Sequence, residues 1–351
     1  MGLPAETEAA LLPPPPALFK GPKTIHTPDG DQQIYCEEYG NRNGEPVFVL
    51  HGGPGYGTSE FYARYFDPNF YHIILFDQRG AKRSTPGGND PEALGHISAR
   101  EMMEDINRLA EQGFGIDFER GDKIHLMGGS WGSILGLYYG AHYPERLHSL
   151  TVRATTLGVY DTLAKMHGLE ADGVTPRLKS AVPPELWEAC KGEWERFFRF
   201  IRQEAPQARD PVEGYYFLLT NPHTDPAIRQ EAAKRWILFE HMIGDSSQTP
   251  AEIEKEVDAM GADHQLPTPA SRPTGCSTCV TARPAISERA ADPHYNFFDD
   301  PEGVVRADGT RARGFDQLAR IEDLHFVRGR TTRSACPPTP GWPSRRSGMP
   351  S

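Results

Sequence analysis

The sequence predicts an α/β protein: a mostly parallel central sheet covered by helices on both faces, with an all-helical segment inserted into it. Three observations lead there. Short, uninterrupted apolar runs alternate with helical patterns through the first part of the chain, which is how strands buried on both faces read. Residues 160–262 carry helical patterns and no buried-strand pattern. One strand–turn–helix junction, Gly128-Gly129-Ser130-Trp131-Gly132, carries the spacing G-x-S-x-G.

The elements follow in order. Residues 1–21 read as an extended leader stiffened by Pro13–Pro16. Lys23–Thr27 and Gln32–Glu38 pair as a hairpin around the turn Pro28-Asp29-Gly30. Pro46–Leu50, His72–Phe76, Lys123–Met127 and Leu147–Val152 are strands by their apolar runs. Ser98–Gln112, with Met102, Met103, Ile106 and Leu109 at helical spacing, and Trp131–His142 are helices. Residues 22–159 therefore form the first part of a core. Residues 160–262 form a helical cap, with helices at Pro184–Glu204, Pro211–Thr220, Pro226–Met242 and Pro250–Met260. Residues 263–330 return to the core, irregular over 264–291 and patterned at Asp316–Arg328, where Asp323–Val327 suits one more core strand. Residues 331–351 are rich in Pro, Arg and Ser and read as unstructured.

Charge and composition narrow the function. The 351 residues carry 48 acidic and 37 basic side chains, a formal net charge of −11. That balance argues against nucleic-acid binding, which relies on clustered Lys and Arg. The five cysteines are scattered, so a reducing compartment is expected. Cys276 and Cys279 form a lone CxxC with no second ligand pair, so no metal is expected there. The N-terminus has no secretory pattern, and no apolar stretch approaches the roughly 20 residues of a membrane span. A cytoplasmic protein with no membrane partner is expected.

Three motifs carry the chemistry. In Gly128–Gly132 the turn is tight, and the glycines leave room for Ser130 to be lifted to the top of the sheet as a nucleophile. His51-Gly52-Gly53-Pro54-Gly55 follows a strand directly. Such a glycine-rich loop can aim a backbone N–H at a developing oxyanion, with Gly53 as one donor and Trp131, the residue after the nucleophile, as the other. His51 itself is expected to be structural. Asp77-Gln78-Arg79-Gly80, with Arg83-Ser84-Thr85-Pro86 beyond it, is by itself a polar loop at a strand end.

Taken together, His-Gly-Gly-Pro-Gly, Asp-Gln-Arg-Gly and Gly-Gly-Ser-Trp-Gly-Ser, in this order, resemble the proline iminopeptidases over residues 20–262. The resemblance implies an α/β-hydrolase fold and a serine hydrolase that releases N-terminal proline from peptides, with no cofactor. Lys82 departs from the family, which has glycine there. A cap glutamate in a Trp-x-x-Trp-Glu pattern holds the substrate amine in that family. Trp236-Ile237-Leu238-Phe239-Glu240 matches it with Phe for the second Trp, which makes Glu240 the candidate anchor and Glu213 a second one.

The resemblance fails at the end. The family places an Asp in a Gly-Arg-Tyr-Asp turn and a His later still. Here Thr331 and Thr332 stand where Tyr and Asp belong, and no histidine follows His325. The final strand and helix are also missing from the pattern. Loss of one base near Arg330 would turn Tyr-Asp codons into Thr-Thr and shift the frame beyond. A triad without base and acid leaves a weak nucleophile. Two other readings stay open: a cap-bearing esterase or amidase of the same fold, and a catalytically dead homologue that binds peptides. Nothing in the sequence sets an oligomeric state.

Overall fold

The computed structural model describes residues 11–53, 55–87, 97–154, 169, 175–182, 184–208, 211–221, 223–244, 251–252, 254–255, 304–305, 311–312, 314–321 and 323–327. Its strands are β1 (Ala17–Thr27), β2 (Gly30–Gly40), β3 (Glu45–Leu50), β4 (Tyr71–Phe76), β5 (Ile124–Gly129), β6 (Leu147–Arg153), β7 (Val304–Val305), β8 (Arg311–Ala312) and β9 (Asp323–Val327). Seven of them form one sheet in the order β1-β2-β4-β3-β5-β6-β9, and β7 and β8 make a small separate ladder. β1, β2 and β4 pair antiparallel, while the pairs β4–β3, β3–β5, β5–β6 and β6–β9 are parallel.

The continuous apolar runs are explained by burial on both faces. In β3, Phe48 and Leu50 join the core beneath the helices α1 (Ala99–Arg108) and α2 (Trp131–His142), while Val47 and Val49 enter a second cluster on the opposite face. β4 divides the same way, with Ile74 and Phe76 on one side and Ile73 and Leu75 on the other. α1 opens with a capping box: the Ser98 hydroxyl accepts the Glu101 N–H at 3.2 Å and donates to the Glu101 carboxylate. It runs on through a π-turn at Leu109–Gly113, so the helical expectation over Ser98–Gln112 is met with a wider last turn.

Two expectations are corrected. The leader ends sooner, because residues 17–21 already belong to β1, with Ala17 opposite Tyr39. Phe19 packs on the core and Ile25 is fully buried, a period-two inward face that the preceding proline run conceals. β9 forms as expected at Asp323–Val327, but as an exposed margin of the sheet instead of a core strand. Only Leu324 packs inward, because β9 is laddered to β6 on one side. The β7–β8 ladder has no signature in the sequence pattern.

β6 and β9 are neighbours, pairing Ser149 with Asp323 and Arg153 with Val327. The chain between them is thus an insertion at one point of the sheet. Its helices α3 (Pro184–Glu204), α4 (Pro211–Thr220) and α5 (Pro226–Gly244) fall where expected. They share an apolar core separate from that of the sheet, built on Phe197, Tyr215, Trp236 and Phe239. Phe197 stacks on Tyr215 at 4.2 Å and on Phe239 at 4.5 Å between ring centroids. The fourth expected helix lies mostly outside the described residues, as do 264–291, the CxxC and 331–351. A short helix, α6 (Gly314–Leu318), returns the chain to the core, where Leu318 and Ile321 pack.

Candidate active site

The site is assembled at the C-terminal ends of β3, β4, β5 and β6. Ser130 stands between β5 and α2 with φ 55° and ψ −124°, a backbone conformation unusual for a residue with a side chain, and it is exposed. The surrounding glycines are required by contact. A Cβ on Gly128 would lie 2.1 Å from the Gly132 carbonyl oxygen, and one on Gly132 would lie 2.2 Å from the Leu50 carbonyl oxygen. The turn is held from below and beside: the Ser130 N–H donates to the Arg153 carbonyl at 3.1 Å, and the Ser133 hydroxyl donates to the Ser130 carbonyl at 2.6 Å. This is a nucleophile elbow, with its strain concentrated on the residue that reacts.

The glycine-rich loop after β3 lies alongside. A Cβ built on Gly52 would sit 3.4 Å from Ser130 Cβ and 3.9 Å from its Oγ. Gly53 has φ +111°, and a Cβ there would meet the Gly55 nitrogen at 2.7 Å, so the loop admits only glycine at this position. The two expected oxyanion donors, Gly53 and Trp131, thus flank Ser130 from separate loops. Pro54 lies outside the described residues.

The Asp-Gln-Arg segment after β4 is more than the polar loop its sequence suggests. Each of three consecutive side chains ties down a different piece. Asp77, fully buried, accepts the Thr58 N–H at 2.6 Å and Arg83 Nε at 2.7 Å, anchoring the exit of the glycine-rich loop. Gln78 donates through Nε2 to the His51 carbonyl at 3.0 Å and accepts the Trp131 indole N–H at 3.0 Å. Arg79 makes a two-pronged pair with Asp105 of α1, Nε and Nη2 each 2.7 Å from a carboxylate oxygen. Lys82, where the resembled family has glycine, adopts φ 41°. The backbone there keeps the left-handed turn that glycine adopts without penalty.

His51 is buried and structural in its contacts. Its Nε2 accepts the Gln78 N–H at 2.9 Å, and its Nδ1 donates to the Gly52 carbonyl at 2.8 Å, an assignment that fixes a neutral ring. Burial pushes its pKa down to about 4, with the Gly52 hydrogen bond opposing.

Of the residues singled out in the sequence, Ser130, Gly53 and Trp131 are brought together. Glu240 lies on α5, with its side chain outside the described set, and Glu213 is half-buried on α4. Neither is joined to Ser130 by a described contact. His325 lies on β9, exposed, opposite Thr151. Arg153 escaped the sequence reading. It ends β6, its guanidinium lies within 3.0–3.3 Å of a Cβ built on Gly129, and its Nε is buried with no hydrogen-bond partner among the described residues. Its charge reaches Tyr65, offsetting part of the upward push that burial gives that phenol. The available signal was position alone: strand ends on this side of a parallel sheet carry function. Among the described residues, no group of three or more His, Cys, Asp or Glu could hold a metal ion, and no helix is long and apolar enough to cross a membrane.

The sheet order, the elbow and the adjoining glycine loop define the class, and the chain has the α/β-hydrolase fold. A family model described as "alpha/beta hydrolase fold" matches residues 45–210. Within that class the chain is related to the proline iminopeptidases. It is 36% identical over 66% of its length to a "Probable proline iminopeptidase" of Leptolyngbya boryana, covering 63% of that protein. It is 33% identical over 60% of its length to a proline iminopeptidase of Xylella fastidiosa, covering 58% of it. The Arabidopsis thaliana proline iminopeptidase is 31% identical over 64% of this chain and is covered to 52%. The chain therefore spans between 52% and 63% of the length of these relatives. Among solved structures, a proline iminopeptidase-related protein of Thermus thermophilus aligns over 89% of this chain and 90% of its own at 18% identity and TM-score 0.37, a likeness too distant to carry an argument.

Proposed function

We propose that this chain is the nucleophile-bearing part of a serine hydrolase that cleaves the bond after an N-terminal proline, with short peptides as its partners in the reaction. The observation that carries this reading is Ser130 on a strained elbow with Gly52 and Gly53 beside it. In this mechanism Ser130 Oγ attacks the prolyl carbonyl carbon. The carbonyl oxygen becomes an oxyanion held by the N–H groups of Gly53 and Trp131. Collapse expels the shortened peptide as its amine and leaves a prolyl ester on Ser130, which water then hydrolyses. Glu240, with Glu213, is the proposed partner of the proline imino group, because a charged amine entering a closed pocket needs a carboxylate.

Turnover needs a base. With Thr331-Thr332 at the acid position and no histidine after His325, we propose that turnover is impaired in the sequence as it stands. A peptide-binding role without turnover is the second reading, and the same observation favours it.

One experiment separates these. A fluorophosphonate is applied to the protein and to Ser130→Ala, alongside assays with proline anilide and with short acyl esters. Labelling that is lost in Ser130→Ala, with preference for the anilide, supports the aminopeptidase. Preference for the esters sinks it in favour of an esterase. Peptide binding without labelling or turnover supports the binding role.

A further inference from the structure

The two oxyanion donors come from loops that follow different strands, and no covalent connection nearby fixes their separation. Gly53 follows β3 and Trp131 follows β5. In the sheet β4 lies next to β3, and β3 lies between β4 and β5. Gln78, two residues beyond β4, therefore reaches across the end of β3 to the start of α2.

Every polar group Gln78 carries toward this site is spent on the link. Its amide nitrogen holds the His51 carbonyl at 3.0 Å, and its amide oxygen holds the indole of Trp131 at 3.0 Å. Its backbone N–H holds the His51 ring at 2.9 Å, and that ring holds the Gly52 carbonyl at 2.8 Å. Gln78, His51 and Trp131 are all buried, so water does not compete for these bonds. The two arms differ in kind, one donor and one acceptor, so only an amide in one orientation satisfies both.

We infer that Gln78 is a positioning residue that sets the spacing of the oxyanion hole, clamping the Gly52–Gly53 loop to the residue after the nucleophile. This inference rests on the hydrolase reading of Ser130. A clamp of this kind acts where charge develops on the carbonyl oxygen, so its loss should appear in the rate of the bond-forming step and leave ground-state binding alone.

The test uses Gln78→Met, which keeps the length and removes both arms, and Gln78→Glu, which keeps the acceptor and turns an acceptor toward the His51 carbonyl. Three quantities are read: kcat and KM on proline anilide, the rate of Ser130 phosphonylation, and amide hydrogen exchange over residues 51–58. Gln78→Met is expected to lower kcat and the phosphonylation rate about 10- to 100-fold, less than or comparable to the loss of a donor itself. KM should stay within about twofold, and exchange in 51–58 should quicken. Gln78→Glu should recover relative to wild type as the pH falls and its carboxyl regains a proton to donate. A raised KM with kcat unchanged, an unchanged phosphonylation rate, or unchanged exchange overturns the inference. If the wild-type protein neither turns over nor takes the label, the hydrolase reading fails by itself. Exchange then decides: quickened exchange in Gln78→Met upholds the clamp, and unchanged exchange overturns it.

Discussion

The crest of the sheet and the helical insertion are held together by different physics. At the crest, position is fixed by directional bonds. Asp77, Gln78 and Arg79 each grip a separate loop or helix, and bare backbone contacts at Gly128 and Gly132 leave no room for adjustment. In the insertion, α3, α4 and α5 meet through stacked rings, with Phe197 at the centre of Tyr215, Trp236 and Phe239. Hydrogen bonding there is secondary: Trp194, buried and stacked on Phe198, has no hydrogen-bond partner for its indole N–H among the described residues. The difference teaches what each region can tolerate. Ring packing accepts changes of shape at modest cost, whereas a buried polar network loses far more when one member is removed.

The largest expected effect is at the crest. Arg79→Met leaves the Asp105 carboxylate buried with only the longer contact from Arg108, at 3.2 Å. Unfolding in urea should show a loss of about 3–5 kcal/mol. A loss under about 1 kcal/mol would mean that the ion pair does not fix the crest to α1.

Next in size is a pH effect. The pKa of His51 falls from 6.5 to about 4 on folding, so the unfolded chain takes up a proton that the native ring refuses. The neutral ring's contribution is complete above pH 6.5 and is lost as pH falls toward about 4, a difference of roughly 3 kcal/mol. Urea unfolding measured from pH 7 down to 4 should therefore show stability declining, and His51→Gln should remove this part of the slope. An equal slope in that variant would assign the decline to other groups.

The smallest effect is expected in the insertion. Phe197→Leu, which loses the stacking but keeps most of the bulk, should cost about 1–2 kcal/mol by thermal or urea unfolding. If it cost more than Arg79→Met, the contrast between the two regions would be reversed, and the insertion would be the more tightly specified of the two.

Much of the fold was legible because its signals are local. The runs PVFVL and HIILF read as strands since both faces are covered, and the helix Trp131–His142 was found to the residue because the elbow starts it and Pro144 follows it. The elbow was legible for the same reason, its spacing being a steric demand of one tight turn. β1 was read too short because its inward face is Phe19, Gly21, Lys23 and Ile25, where only two positions are plainly apolar. The partners of Glu240 and Glu213 were not legible, since neither spacing nor composition says which way a half-polar helix faces.

By itself the sequence determined the class of fold, the nucleophile and the loop expected to face it, because strand burial, helix period and turn sterics all act over a few residues. Only the tertiary structure decided what Asp77, Gln78 and Arg79 do and that Arg153 stands beside Ser130. Those contacts join residues 19, 26 and 53 positions apart, or strands made neighbours by the sheet order. No short-range pattern records such pairings, because the choice among many possible partners is made only when the strands align.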